Sequence, residues 1–109
     1  MKLGEGIYKS SLATDDWRPD PEVGGEMHTL LSEDQIEAGL SRFATAQSDP
    51  IEWTLPKRET VLILEGEARI EIAGGPTLEL RAGDIASMPK GARTTWHLTT
   101  PFREFWVLA

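Results

Sequence analysis

The sequence predicts an all-β fold, either a sandwich or a barrel, in a single domain. From residue 51 to the end, seven short apolar runs alternate with glycine and proline turn signals, a pattern typical of such folds. The length of 109 residues and the mass of 12.1 kDa suit one compact domain. No stretch has the composition of a domain linker, and no internal repeat is present.

The composition narrows the classes of function. The net charge of −7 and the pI of about 4.7 make the chain acidic, so we expect no nucleic-acid partner, because phosphate backbones repel such a protein. The chain has no cysteine, which excludes disulfides and thiolate metal sites. There is no signal-peptide pattern at the N-terminus and no apolar stretch near the ~20 residues of a membrane span. These features predict a cytoplasmic protein with no membrane partner.

Residues 1–30 are predicted to form an N-terminal arm and loop that pack on a barrel made by residues 31–109. Within the arm, residues 15–25 hold two prolines, two glycines and several acids, a composition typical of an extended surface loop. We expect Trp17 to pack back onto the body of the domain, because an exposed indole leaves a large apolar area in water.

Residues 31–48 carry two conflicting patterns. A candidate capping box at residues 32–35 and apolar side chains three or four positions apart indicate a helix. Gly39 in the middle, and the alternation of residues 40–46, indicate a turn and a strand instead. The turn followed by a strand is favoured over residues 32–46, and a helix is the alternative.

The remaining strands are marked off by turn residues. A tight hairpin is predicted at Gly74 and Gly75, since glycine readily adopts the positive φ that such turns need, and Gly66, Gly83 and Gly91 are read as further turns. The predicted strands cover residues 51–55, 60–64, 67–73, 77–80, 85–88, 94–100 and 103–109.

Two of these strands are apolar on both faces, at residues 61–64 (VLIL) and 105–108 (FWVL). One face must fill the interior, and the other must be covered by the N-terminal segment or by a second subunit. We therefore expect a homodimer.

The segment GDIASMPKGARTTWHL resembles the second conserved motif of the cupin superfamily. Gly83, Pro89 and Gly91 have the motif's spacing, whereas Thr94 stands at the position of its histidine and Leu98 at that of its asparagine. The resemblance implies a cupin-type jelly-roll β-barrel, the double-stranded β-helix.

The first cupin motif is similar to the stretch around Glu59 and Gly66. Its histidine positions fall on Trp53 and Leu55, or on Glu52 and Thr54 with the longer spacing. Together with ILEGE, AGD, PKG and TW further along, the stretch resembles small single-domain cupins related to ureidoglycine aminohydrolase and to ethanolamine-utilisation cupins.

Cupin metals usually have three imidazole ligands and one carboxylate ligand, and of these only Glu59 is present at a motif position. His97 is expected on the opposite strand face, and His28 lies in the weakly patterned N-terminal region. One carboxylate is a poor metal site. We therefore expect no cofactor and a degenerate metal site, with a bound divalent metal as the alternative.

Glu59 is the candidate catalytic residue. A buried carboxyl group either keeps its proton or pairs with a cation, here Lys57 or Arg93, and a raised pKa makes it usable as a general acid or base. The alternative is a structural carboxyl group at the barrel rim. The predicted ligand-binding residues are Trp53, Leu55, Lys57, Glu59, Thr94 and Trp96, on strand faces that the resemblance directs into the barrel.

Three functions follow from these residues. The first is a cupin-domain protein of unspecified activity whose pocket binds a small polar or aromatic metabolite. The second is an enzyme, aminohydrolase-like or isomerase-like, that uses Glu59 or a bound divalent metal. The third is a non-catalytic assembly scaffold. Whether the protein is an enzyme is left open at this point.

Overall fold

The computed structural model describes residues 1–46 and 49–109, and these residues form ten strands and no helix. Accordingly, nothing in the described part of the chain is a helix long and apolar enough to cross a membrane. The strands are β1 (Lys2–Gly4), β2 (Ile7–Tyr8), β3 (Arg18–Pro19), β4 (Glu26–Glu33), β5 (Ile36–Phe43), β6 (Ile51–Thr54), β7 (Glu59–Ile72), β8 (Thr77–Arg81), β9 (Ile85–Met88) and β10 (Arg93–Leu108).

The long strands β7 and β10 form the centre of the fold and belong to both walls of the barrel. The second half of β10 pairs with β5 and with the first half of β7, and β4, β3 and β9 extend this wall. The first half of β10 pairs with β6 and with the second half of β7, which also pairs with β8. All of these pairs are antiparallel, and the architecture is the jelly roll that the sequence predicts.

The sequence pattern suggested that strands end at Gly66 and Pro101, and this prediction was wrong. Both residues lie within strands, where β7 and β10 bend from one wall into the other. The β7–β10 register shifts between Thr99 and Arg103, opposite this bend. Gly66 has a φ of 81°, and a Cβ at residue 66 would collide with the carbonyl oxygens of Thr99 and Pro101. A close approach of two backbones therefore explains the glycine, and the four strands predicted on either side of Gly66 and Pro101 are two continuous ones.

The ambiguous segment forms a turn and a strand, not a helix. β4 ends at Glu33, the turn residues Asp34 and Gln35 adopt positive φ angles of 51° and 65°, and β5 follows directly. The last two residues of the segment, 47 and 48, lie outside the described residues. The domain boundary predicted at residue 31 falls inside β4, which is paired with β5 along most of its length.

The core follows the alternation of β7 and β10. Val61 and Ile63 point inward before the bend of β7, Ala68 and Ile70 point inward after it, and the even-numbered residues of β10 point inward throughout. The buried apolar core consists of Phe43, Leu55, Val61, Ile63, Ala68, Ile70, Met88, Trp96, Phe102, Trp106 and Leu108.

The N-terminal arm packs on the outer face of β5 and β10, as the sequence analysis expected of Trp17. The guanidinium groups of Arg42 and Arg103 lie 4.1 Å and 5.6 Å from the centre of the Trp17 ring, within the range of cation–π attraction. The indole N–H donates to the carbonyl oxygen of Thr14 at 2.9 Å. The arm therefore covers part of the outer apolar face.

A second part of the outer face stays open. Leu62, Phe105 and Val107 are half-buried there, and the neighbouring Ile85 is 75% exposed. The homodimer stays a prediction, and these four residues are the face through which we expect it to form.

Replacing Gly66 with alanine is expected to lower the free energy of unfolding by about 3 kcal/mol or more. The change adds the strain of a positive φ to a collision with two backbone carbonyl groups. Gly74→Ala is the control, because Gly74 has a similar φ of 73° but open space around its Cβ position, so its cost should be about 1–2 kcal/mol. Equal losses for the two variants in urea unfolding would contradict the proposed role of the bend.

A homodimer through the outer face predicts a solution mass of two 12.1 kDa chains at micromolar concentration. Ile85→Glu should reduce the mass to one chain, because it places a charge in the centre of an apolar contact. Ile7→Glu is the control, since Ile7 is a 58% exposed isoleucine on the β1–β2 hairpin. Analytical ultracentrifugation measures all three masses, and a monomeric unmutated protein refutes the dimer.

Candidate functional site

A cavity of about 310 Å³ lies inside the barrel between β4, β5, β6, β7 and β10, with the loop after β3 at its edge. Much of its wall is apolar, and two kinds of side chain in it bear on function. Three indole groups line it, together with five acidic side chains: Trp53, Trp96, Trp106, Asp20, Glu22, Glu37, Glu59 and Glu104.

The strand β10 supplies a continuous stripe of this wall. Side chains two positions apart share one face of a strand, so Trp96, Leu98, Phe102, Glu104 and Trp106 all face the cavity. The bend of β10 at Pro101 does not interrupt the alternation, and residues from both halves of the strand therefore meet in one cavity.

Glu59 begins β7 and is 6% exposed. Burial raises the pKa of its carboxyl group, because the interior solvates a charge poorly, and a hydrogen bond from Trp53 opposes this rise. The indole Nε1–H of Trp53 donates to Oε1 of Glu59 at 3.0 Å. The carboxyl group is therefore held by a neutral donor and not by a cation.

Glu104 is the second buried carboxyl group, also 6% exposed. Its Oε2 atom has no hydrogen-bond partner among the described residues. Burial, and then the negative charge of Glu59, raise the pKa of Glu104 well above its ordinary value of 4.5. An unpartnered buried polar atom is costly, so this oxygen marks a place that a ligand can satisfy.

The N–H donors of all three indoles are bonded within the wall. In addition to the Trp53 bond, Trp96 donates to Oγ1 of Thr94 at 2.9 Å and Trp106 donates to Oγ of Ser41 at 2.8 Å. The Thr94 hydroxyl in turn donates to the carbonyl oxygen of Trp53 at 2.5 Å. With these donors occupied, the indoles offer the cavity mainly the apolar surface of their rings.

The structure places half of the predicted site residues on the cavity: Trp53, Glu59 and Trp96 line it. Thr94 is buried within the wall, where it connects the two indoles. Leu55 is 1% exposed and belongs to the core.

Lys57 lies in a bend that begins at Pro56, away from the cavity wall. The proline interrupts the alternation assumed from Trp53 to Glu59, so side chains two apart do not all share one face. No ion pair joins Glu59 to Lys57 or to Arg93 within residues 1–46 and 49–109.

The sequence analysis missed Glu104, Trp106 and Ser41 as site residues. Reading Pro101 as the end of a strand broke the alternation that starts at Trp96 and includes Glu104. The sequence does contain a sign of this site. Glu104 lies two residues from both Phe102 and Trp106, and an acidic residue is unusual on a strand face that points inward.

The residues present do not fit the metal site of metal-binding cupins. His28 is on the outer face, where its ring nitrogens contact Oγ of Ser10 at 2.6 Å and the carbonyl oxygen of Asp16 at 2.9 Å. His97 is also on an outer face and bonds to Glu71. Within the described ranges, no three His, Cys, Asp or Glu side chains converge as metal ligands do.

Solved structures similar to this one are cupins. A proposed ethanolamine utilization protein Q from Salmonella typhimurium LT2 has a TM-score of 0.79 and 22% identity, over 99% of this chain and 89% of that chain. A cupin superfamily protein from Desulfitobacterium hafniense DCB-2 has a TM-score of 0.64 and 20% identity, over 75% and 73% of the two chains. At these identities the likeness shows the fold alone.

The EutQ protein of Clostridium difficile is also similar, with a TM-score of 0.61 and 19% identity over 81% of this chain and 64% of that chain. No curated protein matches the sequence. Residues 38–105 match the EutQ-like cupin domain, a range that covers β10 up to Phe105 and about half of the cavity-lining residues. The chain therefore belongs to the family of EutQ-like cupin domains.

Proposed function

We propose that the protein binds a small polar or aromatic metabolite in the barrel cavity without a metal ion. The observation that carries the proposal is the Glu104 carboxyl group, which is buried in the cavity wall with one oxygen unpartnered. A buried polar atom without a partner is costly, and a ligand that supplies a hydrogen-bond donor removes the cost.

The volume of the cavity supports a small ligand. A space of about 310 Å³ corresponds to roughly ten water molecules at liquid density, and it lies at the lower end of ligand-pocket volumes. The barrel interior is not collapsed, which favours a binding role over a role in assembly alone.

The donor set supports binding through organic groups. Two buried carboxyl groups face the cavity, and among the described residues no imidazole does so, whereas the transition metals of cupins favour imidazole. Catalysis by the carboxyl groups is the second candidate, and the raised pKa values of Glu59 and Glu104 favour it, because a carboxyl group that keeps its proton to higher pH is a better general acid.

A screen of small metabolites should raise the melting temperature of the purified protein for at least one class of compound. A ligand at ten times its Kd adds about 1.4 kcal/mol of stability, or about 5 °C for a domain of this size. Product analysis of the same mixtures tests for turnover.

Two variants locate the binding site in this screen. Leu98→Trp should abolish the shift, because Leu98 lines the cavity and the larger side chain fills it. Leu64→Trp should leave the shift unchanged, since Leu64 is a half-buried leucine on the other face of β7. A broad screen with no shift, or a shift that survives Leu98→Trp, counts against the proposal.

The Glu104 carboxyl group predicts how stability depends on pH. Between pH 4.5 and its raised pKa, the folded state holds a proton that the unfolded state has lost. The free energy of unfolding should therefore fall as the pH rises through this window, by up to about 1.4 kcal/mol per pH unit for this group. Below pH 4.5 its contribution is fully present, since both states are then protonated.

Glu104→Gln should remove this contribution, so the variant gains stability relative to the unmutated protein as the pH rises from 4.5 to 8. Glu67→Gln is the control, because Glu67 is exposed on β7. Urea unfolding at intervals of one pH unit measures the three curves. Parallel curves for Glu104→Gln and the unmutated protein would show that Glu104 does not titrate with a raised pKa.

A further inference from the structure

The ionisable side chains of the cavity wall are all acidic among the residues that the structure describes. The five acidic side chains come from the loop after β3 (Asp20 and Glu22), from β5 (Glu37), from β7 (Glu59) and from β10 (Glu104). No Lys, Arg or His is among the described residues that line the cavity. A cleft lined by one sign of charge concentrates its field and attracts the opposite charge, so the interior favours a cation.

Glu104 is the residue at which we expect a bound cation to gain the most favourable interaction energy. Its Oε2 atom is buried on the cavity wall without a partner among the described residues, and none of those residues supplies a neutralising group from the inner face. The neighbouring Arg103 points to the outer face, where its guanidinium group donates to the carbonyl oxygen of Leu12 at 2.6 Å. A ligand must therefore bring the positive charge itself.

The indole rings favour the same kind of ligand. Rings whose N–H groups are already bonded present their carbon surfaces, and the electron-rich faces of indoles attract cations. Trp53, Trp96 and Trp106 all line the cavity. An ammonium group attached to a small organic body would use both the carboxyl group and the aromatic surface.

We propose that the ligand is a small organic cation, with its ammonium or similar group paired with the carboxylate of Glu104 and its body against the indoles. The inference rests on the proposed function and names the ligand class for that same site. An organic ion fits better than a metal ion, because the wall is largely apolar and the described residues hold no cluster of three metal-ligating side chains.

Three compounds that differ only in their head group test the inference: benzylammonium, benzyl alcohol and benzoate, at equal ionic strength and pH 8. The indole N–H signals in 15N–1H NMR spectra report binding, and Trp17 on the outer face is an internal reference. Benzylammonium should shift the signals of Trp53, Trp96 and Trp106 and bind at least tenfold more tightly than benzyl alcohol. Benzoate should not bind.

Glu104→Gln should reduce the preference for benzylammonium over the alcohol to threefold or less, and the exposed-site control Glu67→Gln should keep it.

A second measurement, the pH dependence of binding, needs no variant. Lowering the pH from 8 to 5 favours the protonated form of Glu104, whose pKa is raised, so the affinity for benzylammonium should fall, by up to tenfold per pH unit below that pKa, while the affinity for benzyl alcohol stays constant. Glu59, Glu37, Glu22 and Asp20 are the other acidic groups that face the cavity.

Several results would overturn the inference. Benzyl alcohol or benzoate binding as tightly as benzylammonium would overturn it while leaving small-molecule binding intact, and so would a preference that persists in Glu104→Gln and at pH 5. If none of the three compounds shifts an indole signal, the inference falls, and the broad thermal screen decides the proposed function separately. Broadening of the cavity indole signals by Mn²⁺ at concentrations where benzylammonium has no effect would favour a metal ion instead.

Discussion

The pairing of β7 with β10 is the constraint on which both the barrel and its cavity depend. The two strands are long enough to take part in both walls, and they can do so only because they bend together, where Gly66 lies against the backbone of Thr99 and Pro101. The bend keeps the alternation of β10 intact, so Trp96 and Glu104, on opposite sides of it, face one interior. The site is thus a consequence of a backbone contact more than of any local motif.

The same pairing sets the relation between the two buried carboxyl groups. Glu59 lies opposite Leu108, and Glu104 lies opposite Ile63, so they leave the sheet at positions about 13 Å apart along the strands. This offset separates their backbone positions, although the charge of Glu59 still raises the pKa of Glu104. The two groups therefore line a shared space and influence one another through its low polarity, which suits them to enclose a ligand.

The parts of the fold set by local sequence could be predicted, and the parts set by the meeting of distant segments could not. Gly74 and Gly91 mark real turns with positive φ angles. These turns could be predicted because glycine adopts a positive φ more readily than other residues, whatever its distant neighbours are. Gly66 also has a positive φ, but the approach of β10 decides that it is a bend and not a strand end. For the same reason, only part of the site could be predicted. Trp53, Glu59 and Trp96 were predicted from the resemblance to cupins, whereas Glu104 could be found only if β10 was known to be one continuous strand.

A barrel without inward imidazoles must balance its buried carboxyl groups in another way. Trp53, which stands at a cupin histidine position in one of the two spacings of the motif, supplies an indole N–H to Glu59, and this neutral donor satisfies the oxygen without neutralising its charge. Glu104 has no such donor for its Oε2 atom among the described residues, and no Lys, Arg or His among them lines the cavity. A proton lowers the cost of burying this carboxyl group, which is why burial raises the pKa of Glu104. A cation paired with Glu104, as proposed above, would offset the same cost and would therefore compete with the proton.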